Sequence, residues 1–248
     1  PVLAEAVTQF QAQAYKELLP GDGPVRTQVV GVQTPANDLQ AQRVEDYMNY
    51  LIMDQMKEYE PEFDSMLFHL PLAGSTFKKI YYDQTMARAV SKFVPADELV
   101  VPYTATSLDD AQSIIHVIKM PENELRKQQV SGFYRDVDLG PPGRVETNPV
   151  VKKERELEGT KATGKPQPIY TLLECHVNLD LEGFEETGAD GQPTGIKLPY
   201  IVTIDESTRT VLSIRRNFAP DDPKKDKIQY FVHFKFLPGL GFYGFGLI

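Results

Sequence analysis

Residues 77–94 read FKKIYYDQTMARAVSKFV. Two runs rich in aromatic and β-branched residues, FKKIYYD and ARAVSKFV, flank a few polar positions. Such runs favour strands, and the short polar link between them predicts a β-hairpin. The hairpin divides the chain, because helical patterns precede it and strand patterns follow it.

The residues before the hairpin carry the spacing of amphipathic helices. Apolar residues recur every three or four positions over residues 2–19, which predicts a helix that ends at Pro20. A short strand is expected over residues 25–32. Thr34 followed by Pro35 predicts the cap and first turn of the next helix.

This second helix is predicted to be long. It should end at Glu60 and Pro61, before a further helical stretch over residues 63–70. Five apolar residues are predicted to form its inner face: Leu39, Val44, Tyr47, Leu51 and Met56.

After the hairpin, the pattern is mostly that of strands. SIIHVIKM predicts a strand, and Pro121 then opens a helix that Gly132 closes in a left-handed conformation. Proline, glycine and charge dominate residues 138–168, so a loop or flexible insertion is expected there.

Three further strand segments follow this insertion. IYTLLECHVNLDLEG predicts one strand, LPYIVTIDESTRTVLSIRRN predicts a pair joined at ESTR, and FVHFKF predicts another. The sequence therefore predicts an α+β fold with a helical segment over residues 1–75 and mostly antiparallel strands over residues 76–248.

Composition narrows the classes of function. The chain has 248 residues and a formal charge of −9, which argues against a module dedicated to gripping duplex DNA. A single cysteine, Cys175, excludes an internal disulfide framework and fits a reducing cytosol. No apolar run is long enough for a membrane span. The start at Pro1 and the apolar final run GLGFYGFGLI suggest that both ends are cut.

The histidines and the cysteine give no catalytic pattern. The histidines are His69, His116, His176 and His233, and none lies in HExxH spacing. Cys175 and His176 are adjacent, so on a strand they point to opposite faces and cannot form a nucleophile and base pair.

The pairs of adjacent acids and the clusters of basic residues predict solvated turns and not catalytic or phosphate-binding sites. The acidic pairs are Asp109 with Asp110, Glu185 with Glu186 and Asp221 with Asp222. The basic clusters are Lys152, Lys153 and Arg155; Arg215 and Arg216; and Lys224, Lys225 and Lys227. Arg215 and Arg216 directly follow a strand pattern, so one of them could face a carboxylate of a neighbouring subunit or DNA.

Motifs of known chemistry are also missing. No GxxxxGK[ST] loop occurs, TGADGQPTG lacks the donors of a calcium loop, and GLGFYGFG lacks the context of a dinucleotide fingerprint. We expect GLGFYGFG to form a bend where aromatic side chains pack. The sequence predicts no catalytic residue, no cofactor and no metal site.

Two blocks of the chain resemble a known family. Residues 80–139 place a hairpin with YYD before FVPADELVVPYTATSLDDA, then HVIKM, then a helix ending in GFYRDVDL. This order resembles the portal proteins, or head-to-tail connectors, of short-tailed, podovirus-type bacteriophages and related prophages. Residues 200–248 resemble the next block of the same family.

The resemblance implies a structural role in a virion. A portal is a homo-oligomeric ring, typically a dodecamer, that forms the DNA entry and exit channel at one capsid vertex. It implies partners in the terminase motor, the capsid and scaffolding proteins, the tail adaptor proteins and double-stranded DNA passing without sequence specificity. The chain would be the wing-like region of the subunit, present in host cytoplasm during assembly, with the stem and clip expected after Ile248.

Two other classes remain open from the residues alone. A non-catalytic α+β binding or scaffold module would share the lack of motifs but stay monomeric. A carboxylate-based hydrolase would assemble distant acids, such as Asp109, Glu174 and Asp205, in one pocket.

Overall fold

The computed structural model describes residues 2–84, 86–141, 169–188 and 190–247. These residues form helices and antiparallel strands, which confirms the predicted α+β fold. None of the helices seen in these ranges has the length and apolar character needed to cross a bilayer.

The chain divides into two compact units. The first contains residues 1–97, 104–110 and 229–248, and the second contains residues 98–103 and 111–228. The helical segment thus shares its unit with the hairpin and with the last strand.

The first unit combines three helices with a three-stranded sheet. Its elements are α1 (Val2–Leu18), α2 (Pro35–Tyr50), a π-helical turn (Leu51–Gln55), α3 (Tyr59–Ala73), β1 (Ser75–Asp83), β2 (Arg88–Pro95) and β8 (Phe231–Lys235). The strand order is β2-β1-β8, with β1 in the centre. The predicted hairpin is β1 and β2, in a register that pairs Phe77 with Val94.

The core of this unit lies between α1, α3 and the sheet. Phe63, Met66 and Leu67 of α3 are buried beside Leu19, and Phe10 of α1 packs against them. The first predicted helix is therefore confirmed as α1, which buries Val7 and packs Phe10 against this core, although Val2, Leu3 and Leu18 stay exposed.

The second unit is built on a five-stranded antiparallel sheet of order β3-β4-β5-β6-β7. Its elements are β3 (Leu99–Val100), β4 (Ser113–Pro121), α4 (Glu122–Val130), β5 (Ile169–Leu179), β6 (Leu198–Asp205) and β7 (Val211–Arg216), and a 3-10 turn (Ala96–Glu98) precedes β3. The predicted strands after Gly132 are all present. The pair joined at ESTR is confirmed as β6 and β7.

One face of the central strand β5 is buried and the other is half-buried. Tyr170 and Leu172 pack with Leu125 of α4 on one face, whereas Val177 packs with Tyr200 on the other. The helix that supplies Leu125 begins after Pro121, and Gly132 follows it with φ of 77°, as the sequence predicts.

Two local expectations are wrong. Residues 25–32 form no strand, because the backbone of Val25 and Thr27 bonds to side chains of α2 and not to another strand. The helical interruption comes at residues 56–58 and not at Glu60 and Pro61. Pro61 lies in the first turn of α3, where the missing N–H costs no helical bond.

The predicted insertion at residues 138–168 is only partly described. Residues 138–141 have no regular element, and Tyr170 donates its hydroxyl proton to the carbonyl of Gly140 at 2.7 Å. Residues 142–168 lie outside the described ranges.

Candidate functional site

Helix α2 exposes the residues that were expected to be its inner face. Leu39, Val44 and Tyr47 are 58%, 48% and 60% exposed, and no residue of α2 is buried. Of the five residues predicted to point inward, only Leu51 and Met56 are half-buried. The prediction for the other three is wrong. We call the exposed apolar residues the α2 surface: Leu39, Val44, Tyr47, Met48 and Tyr50.

A polar stripe on the opposite side attaches α2 to the chain. Asn49 accepts a hydrogen bond from the Val25 amide at 2.9 Å and donates one to the Val25 carbonyl at 3.2 Å. Glu45 accepts from the backbone and hydroxyl of Thr27, and this pairing lowers the Glu45 pKa. Ala41, on the same stripe, accepts from the Thr27 hydroxyl at 3.0 Å.

This stripe explains the reversed orientation. Ala41, Glu45 and Asn49 recur every four residues, so they form a helix face as regular as the apolar one. This polar spacing is visible in the sequence, but apolar periodicity by itself does not reveal which face turns inward. The hydrogen bonds to residues 25–27 decide which face of α2 turns inward.

A second apolar surface follows β8. We call residues 236–247 the C-terminal loop; they carry no charge, and the exposed ones include Leu237, Leu240, Tyr243, Phe245 and Leu247. Leu237 and Phe245 pair across the loop as an antiparallel bridge. Phe242 is buried, with its ring 4.8 Å from that of His233. The expected aromatic bend at GLGFYGFG is confirmed.

Glycines let this loop lie directly on the end of α3. A Cβ on Gly246 would stand 2.6 Å from the carbonyl oxygen of Leu72, and a Cβ on Gly74 would stand 2.5 Å from that of Gly244. The Leu247 amide donates to the Pro71 carbonyl at 2.8 Å. The loop is therefore held in one position by backbone contacts.

Side chains on β2 and a loop backbone on β7 partly occupy the outer edges of the two sheets. On β2, the Phe93 amide donates to Glu62 at 2.8 Å, and Glu58 accepts from the Ser91 backbone. Glu58 also pairs with Arg88, and that pairing is the main reason that its pKa is lowered. On β7, the Leu212 carbonyl accepts from the backbone of Arg135. Carboxylates and an arginine thus occupy hydrogen-bonding groups that an added strand would need.

The histidines occupy structural positions. Nε2 of His233 lies 3.1 Å from the Ser75 hydroxyl, and its ring stacks on Phe77 at 4.4 Å. Burial lowers the pKa of His233 to about 4. His69 is exposed and contacts the Ser65 carbonyl, whereas His116 is half-buried on β4 opposite Glu174.

The acids of the hydrolase hypothesis bind separate partners. Oε1 of Glu174 lies 2.9 Å from Nε2 of buried His176. The Asp205 carboxylate accepts from Ser207 and Thr208 in the turn between β6 and β7. Asp109 is exposed on a loop of the first unit.

Cys175 is half-buried among apolar residues, and burial raises the pKa of its thiol. The described residues contain no grouping of three or more histidines, cysteines or acids that could hold a metal ion.

The pairs of adjacent acids make hydrogen bonds and ion pairs within loops. Asp110 accepts from Thr106 and Ser107, which lowers its pKa to about 2. Asp222 accepts from the amides of Lys224 and Asp226, which lowers its pKa. In the remaining pair, Glu185 is half-buried, and the carboxylate of Glu186 pairs with Lys225.

The described residues of the basic clusters make local contacts. The Arg215 guanidinium lies 4.3 Å from the centre of the Phe133 ring, and Arg216 lies 5.8 Å from that of Phe184. Lys227 donates to the Ala111 carbonyl at 3.3 Å. The cluster at residues 152–155 lies outside the described residues.

Lys78 was not anticipated from the sequence. It is 3% exposed on β1, with its ammonium 3.7 Å from the centre of the Tyr59 ring and 4.8 Å from that of Phe63. Burial lowers its pKa to about 8, although Glu62 and Glu58 oppose the shift. Its neighbours come from α3, so only the packed structure reveals the environment.

No protein-family model matches the chain, and no curated protein matches it significantly. The exposed apolar surfaces described above are therefore defined by geometry and sequence alone.

Proposed function

We propose that the chain is part of a bacteriophage portal protein, a non-enzymatic ring subunit at one capsid vertex. The observation that carries the proposal is the α2 surface. Leu39, Tyr47 and Tyr50 point away from their own unit on a helix that buries nothing. Exposed clusters of large apolar side chains mark interaction sites in soluble proteins.

Sequence resemblance selects this function among those that need a partner surface. The portal-like order of segments in residues 80–139 spans most of β1 and all of β2, β3, β4 and α4. A plain binding module would also expose a surface, but it gives no reason for this order of segments.

The charge of the chain suits passage of DNA. Each phosphate that a protein neutralises adds affinity through counterion release, and tight binding would resist translocation. With a net charge of −9, the chain favours a duplex that slides. The terminase motor, capsid and scaffolding proteins and tail adaptors are the proposed partners, and the virion portal vertex is the proposed location.

The solution mass of the protein tests this proposal. We expect light scattering of the full-length protein to give a mass of a ring, with a dozen subunits as the expected size, and negative-stain images to show a central hole. A monomer at high concentration would contradict the portal proposal and favour the binding module. Comparison with the 248-residue chain would show which part carries the assembly contacts.

A further inference from the structure

We infer that helix α2 binds helix α2 of a second copy of the chain, with the two helices antiparallel about a two-fold axis. The inference goes beyond the proposed function, because a two-fold axis joins like patches, whereas a closed ring joins unlike patches. The contact is therefore additional to those that close a ring. The observation that carries it is the order and spacing of four exposed residues on α2.

These four residues form a symmetric row along the helix. We call Leu39, Arg43, Asp46 and Tyr50 the α2 seam, and all four are exposed. They are four, three and four positions apart, which is the spacing by which two helices pack along each other in a coiled coil. Their order is apolar, basic, acidic and apolar. The seam therefore has the same spacing in both directions, with opposite charges at equivalent positions.

An antiparallel pair centred on the middle of the α2 seam matches the residues in chemistry. Arg43 then faces Asp46 of the second copy, and Leu39 faces Tyr50 of the second copy. The two-fold axis repeats each contact, which gives two ion pairs between two apolar contacts. A parallel pair would instead set each charge against its own copy, and like charges that face each other repel. Charge complementarity thus selects a second copy in the antiparallel direction.

The two charged residues of the seam are available for these ion pairs. Arg43 and Asp46 have no hydrogen bond or ion pair within the part of the chain that the structure describes. Glu45, by contrast, lies on the inward stripe and is bonded to Thr27. The charges of Arg43 and Asp46 also cancel on each copy, so no net repulsion opposes the approach of two such faces.

The apolar residues of the seam supply the attraction. Leu39, Tyr50 and the neighbouring Tyr47 are largely exposed, and burying them removes apolar area from water. Gln55 donates a hydrogen bond to the Tyr50 hydroxyl, so this ring can be buried with its polar atom already bonded. The helix has only 16 residues, so the contact is small. We expect a dissociation constant of about 1–100 μM.

Reversal of the two charges tests the contact. Arg43→Asp would set aspartates opposite each other, and Asp46→Arg would set arginines opposite each other. Sedimentation equilibrium of the 248-residue chain should show monomers and dimers, and either single variant should weaken dimerisation about tenfold or more. The double variant with Arg43→Asp and Asp46→Arg exchanges the charges and should restore dimerisation. A role of either residue in folding alone would not produce this restoration.

A control and three outcomes separate this inference from the proposed function. Lys92→Asp makes the same change of charge at an exposed position on β2 and should leave dimerisation unchanged. A dimer that the single variants do not weaken, or that the double variant does not restore, would overturn the inference. A chain that stays monomeric at high concentration would also overturn it and leave the portal proposal standing. A dimer restored by the exchange, together with a full-length protein that forms no ring, would support the inference and overturn the portal proposal.

Discussion

At the scale of single residues, two ionisable side chains lie in aromatic surroundings and lower the free energy of unfolding by an amount that depends on pH. His233 stacks against both Phe77 and Phe242, and Lys78 lies over Tyr59 and Phe63. Burial disfavours the charged form of both, so both pKa values are lowered. Each residue therefore links the free energy of unfolding to pH in its own range.

His233→Phe should remove a loss of stability in mild acid. The folded-state pKa of about 4 lies below the usual 6.5, so between these values the unfolded state binds the proton and the folded state does not. The wild type should lose about 1–2 kcal/mol relative to the variant from pH 7 to pH 5. Urea unfolding at both pH values measures this difference, with exposed His69→Gln as the control. A difference that does not change with pH would contradict the assignment.

Lys78→Met should change the pH dependence of stability in the alkaline range. Below pH 8 the lysine is charged in both states and the penalty of burial is complete; between about 8 and 10.5 only the unfolded state keeps the proton. The variant should be more stable than the wild type at pH 7, and its advantage should shrink by about 2 kcal/mol by pH 10. Denaturant unfolding at pH 7 and 10 checks this. Exposed Lys92→Met is the control, and a variant less stable than the wild type at pH 7 would show that the cation–π contacts outweigh the penalty.

At the scale of elements, α2 is attached by polar contacts, and the C-terminal loop is attached by backbone contacts and by the buried ring of Phe242. Asn49 and Glu45 bind α2 to residues 25–27, and glycines bring the loop onto α3. Such attachments are local, so each can be weakened without removing the core around Met66 and Leu67.

Asn49→Ala should loosen α2 without unfolding the unit. The substitution removes both hydrogen bonds to Val25, and α2 has no buried residue to hold it otherwise. We expect faster amide hydrogen exchange in α2 and residues 25–27, with protection of α3 unchanged. Gln42→Ala, on an exposed position of the same helix, should leave exchange as it is. Equal acceleration throughout α3 would instead indicate that α2 is part of the cooperative core.

Gly246→Ala and Gly241→Ala form a matched pair within the loop. An added Cβ at Gly246 would meet the Leu72 and Pro71 carbonyl oxygens at 2.6 Å and 2.9 Å, whereas at Gly241 it would meet nothing within 4 Å. Gly246→Ala should cost about 2 kcal/mol or more, and Gly241→Ala less than about 0.5 kcal/mol. Thermal and denaturant unfolding of both variants measure the contrast. Similar costs for the two would mean that the loop does not lie on α3.

At the scale of the whole molecule, net charge governs the contact with DNA. The excess of acids over bases gives −9, and Arg215 and Arg216 are each held over an aromatic ring. Proteins that grip duplex DNA instead present an excess of Lys and Arg to the phosphates.

The chain should therefore bind duplex DNA weakly. We expect a dissociation constant above about 10 μM at about 0.15 M salt, with no preference for sequence. Fluorescence anisotropy with a labelled duplex at two salt concentrations measures it. Sub-micromolar binding with a steep salt dependence would contradict the proposal that a duplex slides past the chain. Arg215→Ala with Arg216→Ala would then test whether those two residues are responsible for the binding.

Local patterns predicted most elements of the fold. The strand runs of β1, β2 and β4–β7, the cap at Thr34 and the left-handed Gly132 all depend on residues close in sequence, which is why they can be recognised without the structure. The apolar spacing of α1 was also sufficient, because α3 offers it a matching face.

The tertiary structure alone decided where the apolar faces point and which distant segments meet. β8 lies beside β1 although more than 130 residues separate them, and no local pattern specifies such a partner. The amphipathic pattern of α2 showed that one face is apolar, but it could not show whether the chain supplies anything to cover it. Because α2 is attached through Asn49 and Glu45, its apolar face stays exposed, and that outcome of packing created the candidate interaction surface.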